Sequence, residues 1–279
     1  LRLLAVDVGN TRTKFGLFSF GSECRSPLPD CEQFLAVPHG DAIPWETLAE
    51  WMPLATEGCP VALAGSDPGR IAALQEAFRQ RGWSSPWRLS DRTAMPLAID
   101  VDAPDKVGVD RLLNAVAANL LRPADRAAIV IDTGTAATVD FISSDGRFCG
   151  GAILPGFALS AQALHTYTAL LPRLTVRELA NEPPVPVGRN TSDAIRSGVY
   201  WGHAGALKEL VAQICGQHSL PIPRWDQPQD DSAAPWLLLT GGGAPFLAPV
   251  FPTIRQMPSL ALYGLAVVAR RRCVQGTLS

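Results

Sequence analysis

Two aspartates in this sequence stand in the same short setting. Asp7 opens a segment Asp-x-Gly-x-x-x-Thr that closes on Thr13, and Asp132 opens a second that closes on Thr138. Each aspartate follows an apolar strand-like run and each turn leads into another, so the pattern reads as a duplication whose copies lie close to half the chain apart. A carboxylate beside a glycine turn offers oxygen to a divalent cation, and the backbone N–H groups of the turn can take phosphate oxygens. Carboxylates alone would repel a polyphosphate, so the cation is what makes the pairing attractive. Leu239-Thr240-Gly241-Gly242-Gly243 is a third glycine turn after a strand, and its missing side chains leave room for a flat ring such as adenine. Neither Gly-x-x-x-x-Gly-Lys-Ser/Thr nor Gly-x-Gly-x-x-Gly occurs, which excludes the P-loop and the Rossmann fingerprint.

A third acidic residue, Asp110, begins a helix predicted over Val109–Leu121, where Val109, Leu112, Leu113, Val116 and Leu120 recur at helical spacing. The helix dipole keeps a carboxylate in the first turn ionised and fit to accept a hydroxyl proton. The plainer reading is a helix cap, worth about 0.5–2 kcal/mol. Arg111 carries a forked guanidinium that matches a carboxylate at two points, or makes a surface ion pair. Gly108 lets a ligand approach the main chain. Asn10, Thr11 and Thr13 offer short polar groups to phosphate oxygens, which is also ordinary hairpin-turn chemistry. Lys14 adds a positive charge one strand step beyond the turn, and Asn190 or Thr191 is placed to cap the helix that follows. His165 receives no role.

The elements that must position these residues follow from the apolar pattern. Leu1–Val8 and Lys14–Phe20 form a hairpin around Gly9–Thr13, and Val61–Ala64 is a short buried strand. Asp67-Pro68 starts a helix that runs to Arg81 and stops at Gly82. Between these, residues 21–60 yield only one helix, Trp45–Trp51, and residues 84–107 are loop or short strand. Ala127–Ile131 and Ala136–Ile142 are strands, Asp145-Gly146 a hairpin turn, and Gly150–Gly156 a loop before a helix over Ala158–Leu171. A long helix spans Thr191–Ile214, with Gly198, Gly202 and Gly205 as points of close backbone approach. Residues 221–235 form a polar loop, Trp236–Thr240 a strand and Leu260–Arg270 a closing helix. A length of 279 residues suits two domains of roughly 100–200 residues, here 1–122 and 123–279 with Pro123 at the boundary.

Composition narrows the function classes. Hydrophobic residues at 47% and charged residues at 18% describe a folded chain. With 24 Lys+Arg against 26 Asp+Glu, the chain lacks the basic field that nucleic-acid binding needs. No apolar run reaches the roughly 18–20 residues of a membrane span, and with Leu1 already in a strand no signal peptide is expected within this sequence. The six cysteines and four histidines are dispersed without ligand spacing, so reduced thiols in a cytoplasmic protein are expected rather than zinc or disulfides.

Six segments carry a family resemblance. DVGNTRTKFGLF (Asp7–Phe18), PDKVGVDRLLNAVAA (Pro104–Ala118), VIDTGTAATVDF (Val130–Phe141), GGAILPG (Gly150–Gly156), GRNTSDAIRSGVYWG (Gly188–Gly202) and TGGG (Thr240–Gly243) occur in this order. Together they resemble type III pantothenate kinase, within the actin-like ATPase and sugar-kinase superfamily, while residues 21–100 carry little of the match. The resemblance implies an α/β fold of two duplicated ribonuclease H-like lobes with a nucleotide cleft between them. It implies ATP-dependent phosphorylation of pantothenate to 4'-phosphopantothenate, the first step of coenzyme A synthesis. Magnesium, a monovalent cation (potassium or ammonium) and a homodimer with sites near the subunit interface come with it.

By the same resemblance, ATP lies along Asp7, Val8, Gly9, Asn10, Thr11, Arg12, Thr13 and Lys14 and touches Thr135, with Asp7 orienting magnesium directly or through water. Asp110 is the general base. Substrate meets Val101, Gly108, Val109, Asp110, Arg111 and Thr191, the last from a neighbouring subunit, and Asp132 holds the monovalent cation. One departure stands out: the family commonly has Tyr nine residues before the base, where this chain has Val101. The missing hydroxyl removes a hydrogen bond with a typical net value of about 0.5–1.5 kcal/mol. Two other classes remain open at this point, a non-catalytic accessory or regulatory binding protein of the same fold and a kinase for another small alcohol.

Overall fold

Leu3 to Val8 are buried without a break, the mark of a strand covered on both faces rather than one that alternates. This strand, β1 (Arg2–Val8), is the centre of a five-stranded sheet in a computed structural model that describes residues 1–21, 27–52, 59–179, 182–229 and 233–274. Cys24 and residues 230–232 of the polar loop lie outside the described residues. The chain divides into two compact units. Unit 1 comprises Leu1–Ala98, Asp102–Leu121 and Leu260–Ser279, and unit 2 comprises Ile99–Val101 and Arg122–Ser259.

In unit 1, β1 pairs antiparallel with β2 (Arg12–Ser19), which pairs antiparallel with β3 (Asp30–Pro38). On its other edge β1 pairs parallel with β4 (Val61–Gly65), and β4 with β5 (Trp87–Arg88). The helices are α1 (Trp45–Trp51), α2 (Pro68–Gln80) and α3 (Val109–Leu121). Asp67 caps α2 by accepting from Arg70 N at 3.0 Å, and Pro68 occupies the first turn, as the sequence predicts. Leu48, Ile71, Leu74 and Phe78 pack on Leu4, Val6, Val8 and Leu63. The closing helix, α8 (Leu260–Val274), packs on α3 and β1.

Unit 2 repeats the plan. β6 (Ala128–Thr133), β7 (Ala136–Ile142) and β8 (Phe148–Pro155) form an antiparallel meander. β6 pairs parallel with β9 (Trp236–Thr240), and β9 with β10 (Arg255–Gln256). Both sheets therefore run third, second, first, fourth, fifth in their own strand order. α4 (Phe157–Thr166), α5 (Val176–Leu179), the long α6 (Thr191–Gln217) and the short α7 (Ala244–Leu247) complete the unit.

Several expectations change. The units depart from a 1–122 and 123–279 division at two places: α8 returns to unit 1, because its apolar residues cover α3 and β1, and Ile99–Val101 joins unit 2 through the bridge from Ile99 to Phe148. Gly150–Gly156 is largely the strand β8 rather than a loop. Gly151 answers to crowding, since a Cβ there would stand 2.1 Å from Val139 O, and Gly150 to a φ of +92°. β3 was hidden in residues 21–60, an edge strand with exposed polar positions such as Glu32 and Gln33. Gly198, Gly202 and Gly205 have open space where a Cβ would be, so among the described residues no backbone outside the helix approaches them.

Candidate active site

At the C-terminal end of β1, Asp7 is 6% exposed and faces Lys14 across the hairpin, with Lys14 Nζ 3.7 Å from Asp7 Oδ2. The turn is closed by Gly9 N donating to Arg12 O at 3.1 Å, and its outer side is braced by His39 N donating to Thr11 O at 2.9 Å. Asn10, Thr11 and Arg12 are exposed at the tip, and Thr13 is buried. β4 ends against this turn. Ser66 N donates to Val8 O at 3.1 Å, and Ser66 Oγ donates to Asn10 Oδ1 at 3.1 Å.

Also in unit 1, α3 places Asp110 in its first turn. The carboxylate folds back: Oδ1 accepts from Arg111 N at 2.9 Å and lies 2.6 Å from where a Cβ on Gly108 would be. The absence of a side chain at Gly108 leaves room for this orientation of the Asp110 carboxylate. Arg92 donates to Val107 O at 2.7 Å and fixes the segment entering the helix. The far side of α3 is set by α8, where a Cβ on Gly264 would stand 2.0 Å from Leu113 O.

Unit 2 shows the same devices at the end of β6. Asp132 Oδ1 lies 2.4 Å from where a Cβ on Gly241 would be, and Gly241 has φ +91°, so only glycine fits. Thr133 Oγ1 donates to Thr240 O at 3.0 Å, and Gly243 N donates to Thr133 O at 2.8 Å, which ties the Gly241–Gly243 turn to β6. Thr135 is exposed, and its carbonyl accepts from Gly156 N at 2.9 Å. His203 holds the end of β8 in place: Nε2 lies 2.6 Å from Pro155 O, Nδ1 lies 2.9 Å from Val199 O, and the ring stacks on Phe157 at 4.4 Å. Val101 lies beside Gly150, with 3.5 Å from its Cγ1 to where a Cβ on Gly150 would be. Asn190 caps α6, accepting from Asp193 N at 2.9 Å and donating to Asp193 Oδ2 at 2.7 Å, so exposed Thr191 is not the cap.

The register refines the duplication. Asp7 pairs with Lys14 and Val8 with Thr13, whereas Asp132 pairs with Thr138 and Thr133 with Ala137. The second turn is one residue shorter, so Thr138 stands where Lys14 stands, and the equal Asp-to-Thr spacing does not mark equal positions. Across the parallel edge the match is closer: Asp7 is level with Ala64 and Asp132 with Thr240, and a glycine follows in each case, Gly65 and Gly241. Sequence reasoning did not single out Ser66, Arg92, His203 or Gly264. The signal available for Ser66 was a glycine and a polar residue directly after a buried strand, as at Thr240–Gly241.

Among the described residues no three His, Cys, Asp or Glu side chains gather into a metal cage. Single carboxylates at strand ends suit magnesium, which binds through one or two carboxylates and the phosphates of a substrate.

Two sheets of identical strand order, each delivering an aspartate near the end of its first strand and a glycine at or directly after the end of its fourth, define the duplicated ribonuclease H-like lobes of an actin-like ATPase fold. A solved structure of a conserved protein assigned to the Baf family of transcriptional activators, from Campylobacter jejuni, shares that fold at a TM-score of 0.57. It is 19% identical, covering 98% of this chain and all of its own. A sequence profile for type III pantothenate kinase matches residues 3–213. The type III pantothenate kinase of Gluconobacter oxydans is 33% identical over 283 residues, 96% of this chain and 93% of the relative. That of Acidiphilium cryptum is 35% identical over 230 residues, 79% of each. The chain belongs to the type III pantothenate kinase family.

Proposed function

We propose that this chain transfers the γ-phosphoryl group of ATP to the primary hydroxyl of pantothenate, giving 4'-phosphopantothenate and ADP at the first step of coenzyme A synthesis. The observation that carries the reading is family membership over nearly the whole chain. In this reading the new bond joins the pantothenate oxygen to the γ-phosphorus, and the bond to the β,γ-bridging oxygen breaks. Asp110 accepts the hydroxyl proton and orients the attack; because phosphoryl transfer is loose, this is mainly positioning. Arg111 binds the pantothenate carboxylate at two points. Gly108, Val109, Val101 and Thr191 complete the substrate contacts, and the aliphatic Val101 replaces a hydroxyl with apolar contact.

Val8, Gly9, Asn10, Thr11, Arg12, Thr13 and Lys14 surround the ATP phosphates, Thr135 touches ATP, and adenine lies on Gly241–Gly243. Asp7 is the oxygen donor for magnesium and Asp132 for potassium or ammonium. Magnesium, when bound, neutralises charge on the β- and γ-phosphate oxygens. The hard oxygen of each aspartate fits these ions, and the half-buried Lys14 beside Asp7 adds charge toward the same phosphates.

The reading includes a homodimer. Leu159, Leu164, Tyr167 and Leu170 are exposed on α4 and just after it, and on α6, which packs against α4, Gly198, Trp201, Gly202 and Gly205 are exposed. Large exposed apolar surface of this kind supports an interface. A cytoplasmic location fits the free thiols of Cys31, Cys59, Cys149, Cys215 and Cys273. Among the described residues no helix is long and apolar enough to cross a membrane.

The test is phosphorus NMR of the reaction mixture with magnesium and potassium present. A new phosphomonoester signal that requires pantothenate, and that weakens when sodium replaces potassium, is expected. A signal with other small alcohols but not with pantothenate would overturn the substrate.

A further inference from the structure

We infer that Ser66 is a positioning residue for nucleotide binding, acting through Asn10; this rests on the reading that the Gly9–Thr13 turn receives the ATP phosphates. Ser66 is held from both sides. Upstream, Gly65 is level with Val8, and a Cβ there would stand 2.3 Å from Val8 O, so only glycine lets the chain pass. Ser66 N then donates to Val8 O at 3.1 Å. Downstream, Asp67 caps α2, its Oδ1 accepting from Arg70 N, and Pro68 fixes the first turn. The hydroxyl therefore projects from a rigid junction between a buried strand and a helix.

That hydroxyl donates to Asn10 Oδ1 at 3.1 Å. A side-chain amide has one acceptor oxygen and a nitrogen with two donors, and its terminal torsion is broad and close to two-fold. Without a partner the amide presents oxygen or nitrogen to the turn with little preference. With its oxygen engaged by Ser66, Asn10 keeps both Nδ2 protons for an anionic acceptor and turns its partial negative charge away from the phosphates. Asn10 is exposed at the turn tip, where such an acceptor can reach it. In unit 2 the strand-end glycine Gly241 is followed by Gly242, which carries no hydroxyl, so this device belongs to unit 1.

The experiment is calorimetric titration of the full chain with a non-hydrolysable ATP analogue and magnesium, for wild type, Ser66→Ala, Ser66→Thr, Asn10→Ala and the Ser66→Ala/Asn10→Ala pair. Losing one hydrogen bond of this kind weakens binding by about three- to tenfold. Ser66→Ala is expected to show that loss and Ser66→Thr to restore binding to within about twofold of wild type. The double variant is expected to bind no more weakly than Asn10→Ala. In steady state, Ser66→Ala should raise KM for ATP and leave KM for pantothenate unchanged. Wild-type binding in Ser66→Ala, or an equal loss on the Asn10→Ala background, would overturn the assignment. A wild-type chain that binds the analogue but does not phosphorylate pantothenate would overturn the substrate reading and leave the role of Ser66 to the binding series.

Discussion

Asp110 illustrates how one side chain serves both fold and chemistry. Its carboxylate accepts the Arg111 amide, a donor left over at the helix start, and lies over the bare Cα of Gly108. Because Asp110 is exposed and the amide oxygen of an asparagine can still accept from Arg111 N, Asp110→Asn should leave the melting temperature close to that of wild type. Loss of a general base costs about 10²–10⁴ in rate, so kcat should fall by that order while ATP binding persists. Steady-state kinetics with a thermal melt checks this, and near-normal turnover would remove Asp110 from the chemistry. At this scale the sequence singled out Asp7, Asp110 and Asp132, and the places it predicts for them, two near strand ends and one in the first turn of a helix, are the places they occupy. It was less legible where geometry decides. The paired Asp-to-Thr spacing suggested equivalent threonines, yet the shorter second turn sets Thr138 against Asp132 as Lys14 is set against Asp7. Ser66 and His203 escaped notice because an isolated serine or histidine carries no pattern until the fold gives it a partner.

The elements show why some of the chain could be read and some could not. β1, β4, β6 and β9 announce themselves as unbroken apolar runs because both faces are covered. Edge strands lack that signal: β3 mixes Glu32 and Gln33 with Phe34 and Leu35, and β8 carries Gly150 and Gly151 in its first half, residues that read as a loop. α3 was legible from its helical spacing, but its partner α8 comes from the far end of the chain, and no local pattern reports that pairing. Gly264 is where the pairing is tightest. A Cβ there would press on the main chain at Leu113, and overpacking of this kind costs about 1–3 kcal/mol. Gly264→Ala should therefore lower the melting temperature and, by shifting the helix that bears Asp110, lower kcat as well. Gly216→Ala, at an open position of α6, is the matched control and should do neither. Equal effects from both would contradict the packing argument.

For the whole molecule, duplication is the organising fact. The same strand order occurs in both units, and each copy puts an acid at the end of its central strand, a plan suited to placing charge beside phosphates. The proposed homodimer predicts twice the mass of one chain in sedimentation equilibrium. Leu170, 92% exposed, is an apolar side chain that a partner would cover. Leu170→Asp should shift the equilibrium toward single chains, and an unchanged mass distribution would locate the interface elsewhere. The central claim is pantothenate-dependent turnover of ATP, and coupled ADP release measures it most directly, with magnesium and potassium present and pantothenate as the only variable. ADP release that rises and saturates with pantothenate is the predicted result; folded protein that releases no ADP above background at any pantothenate concentration would contradict it.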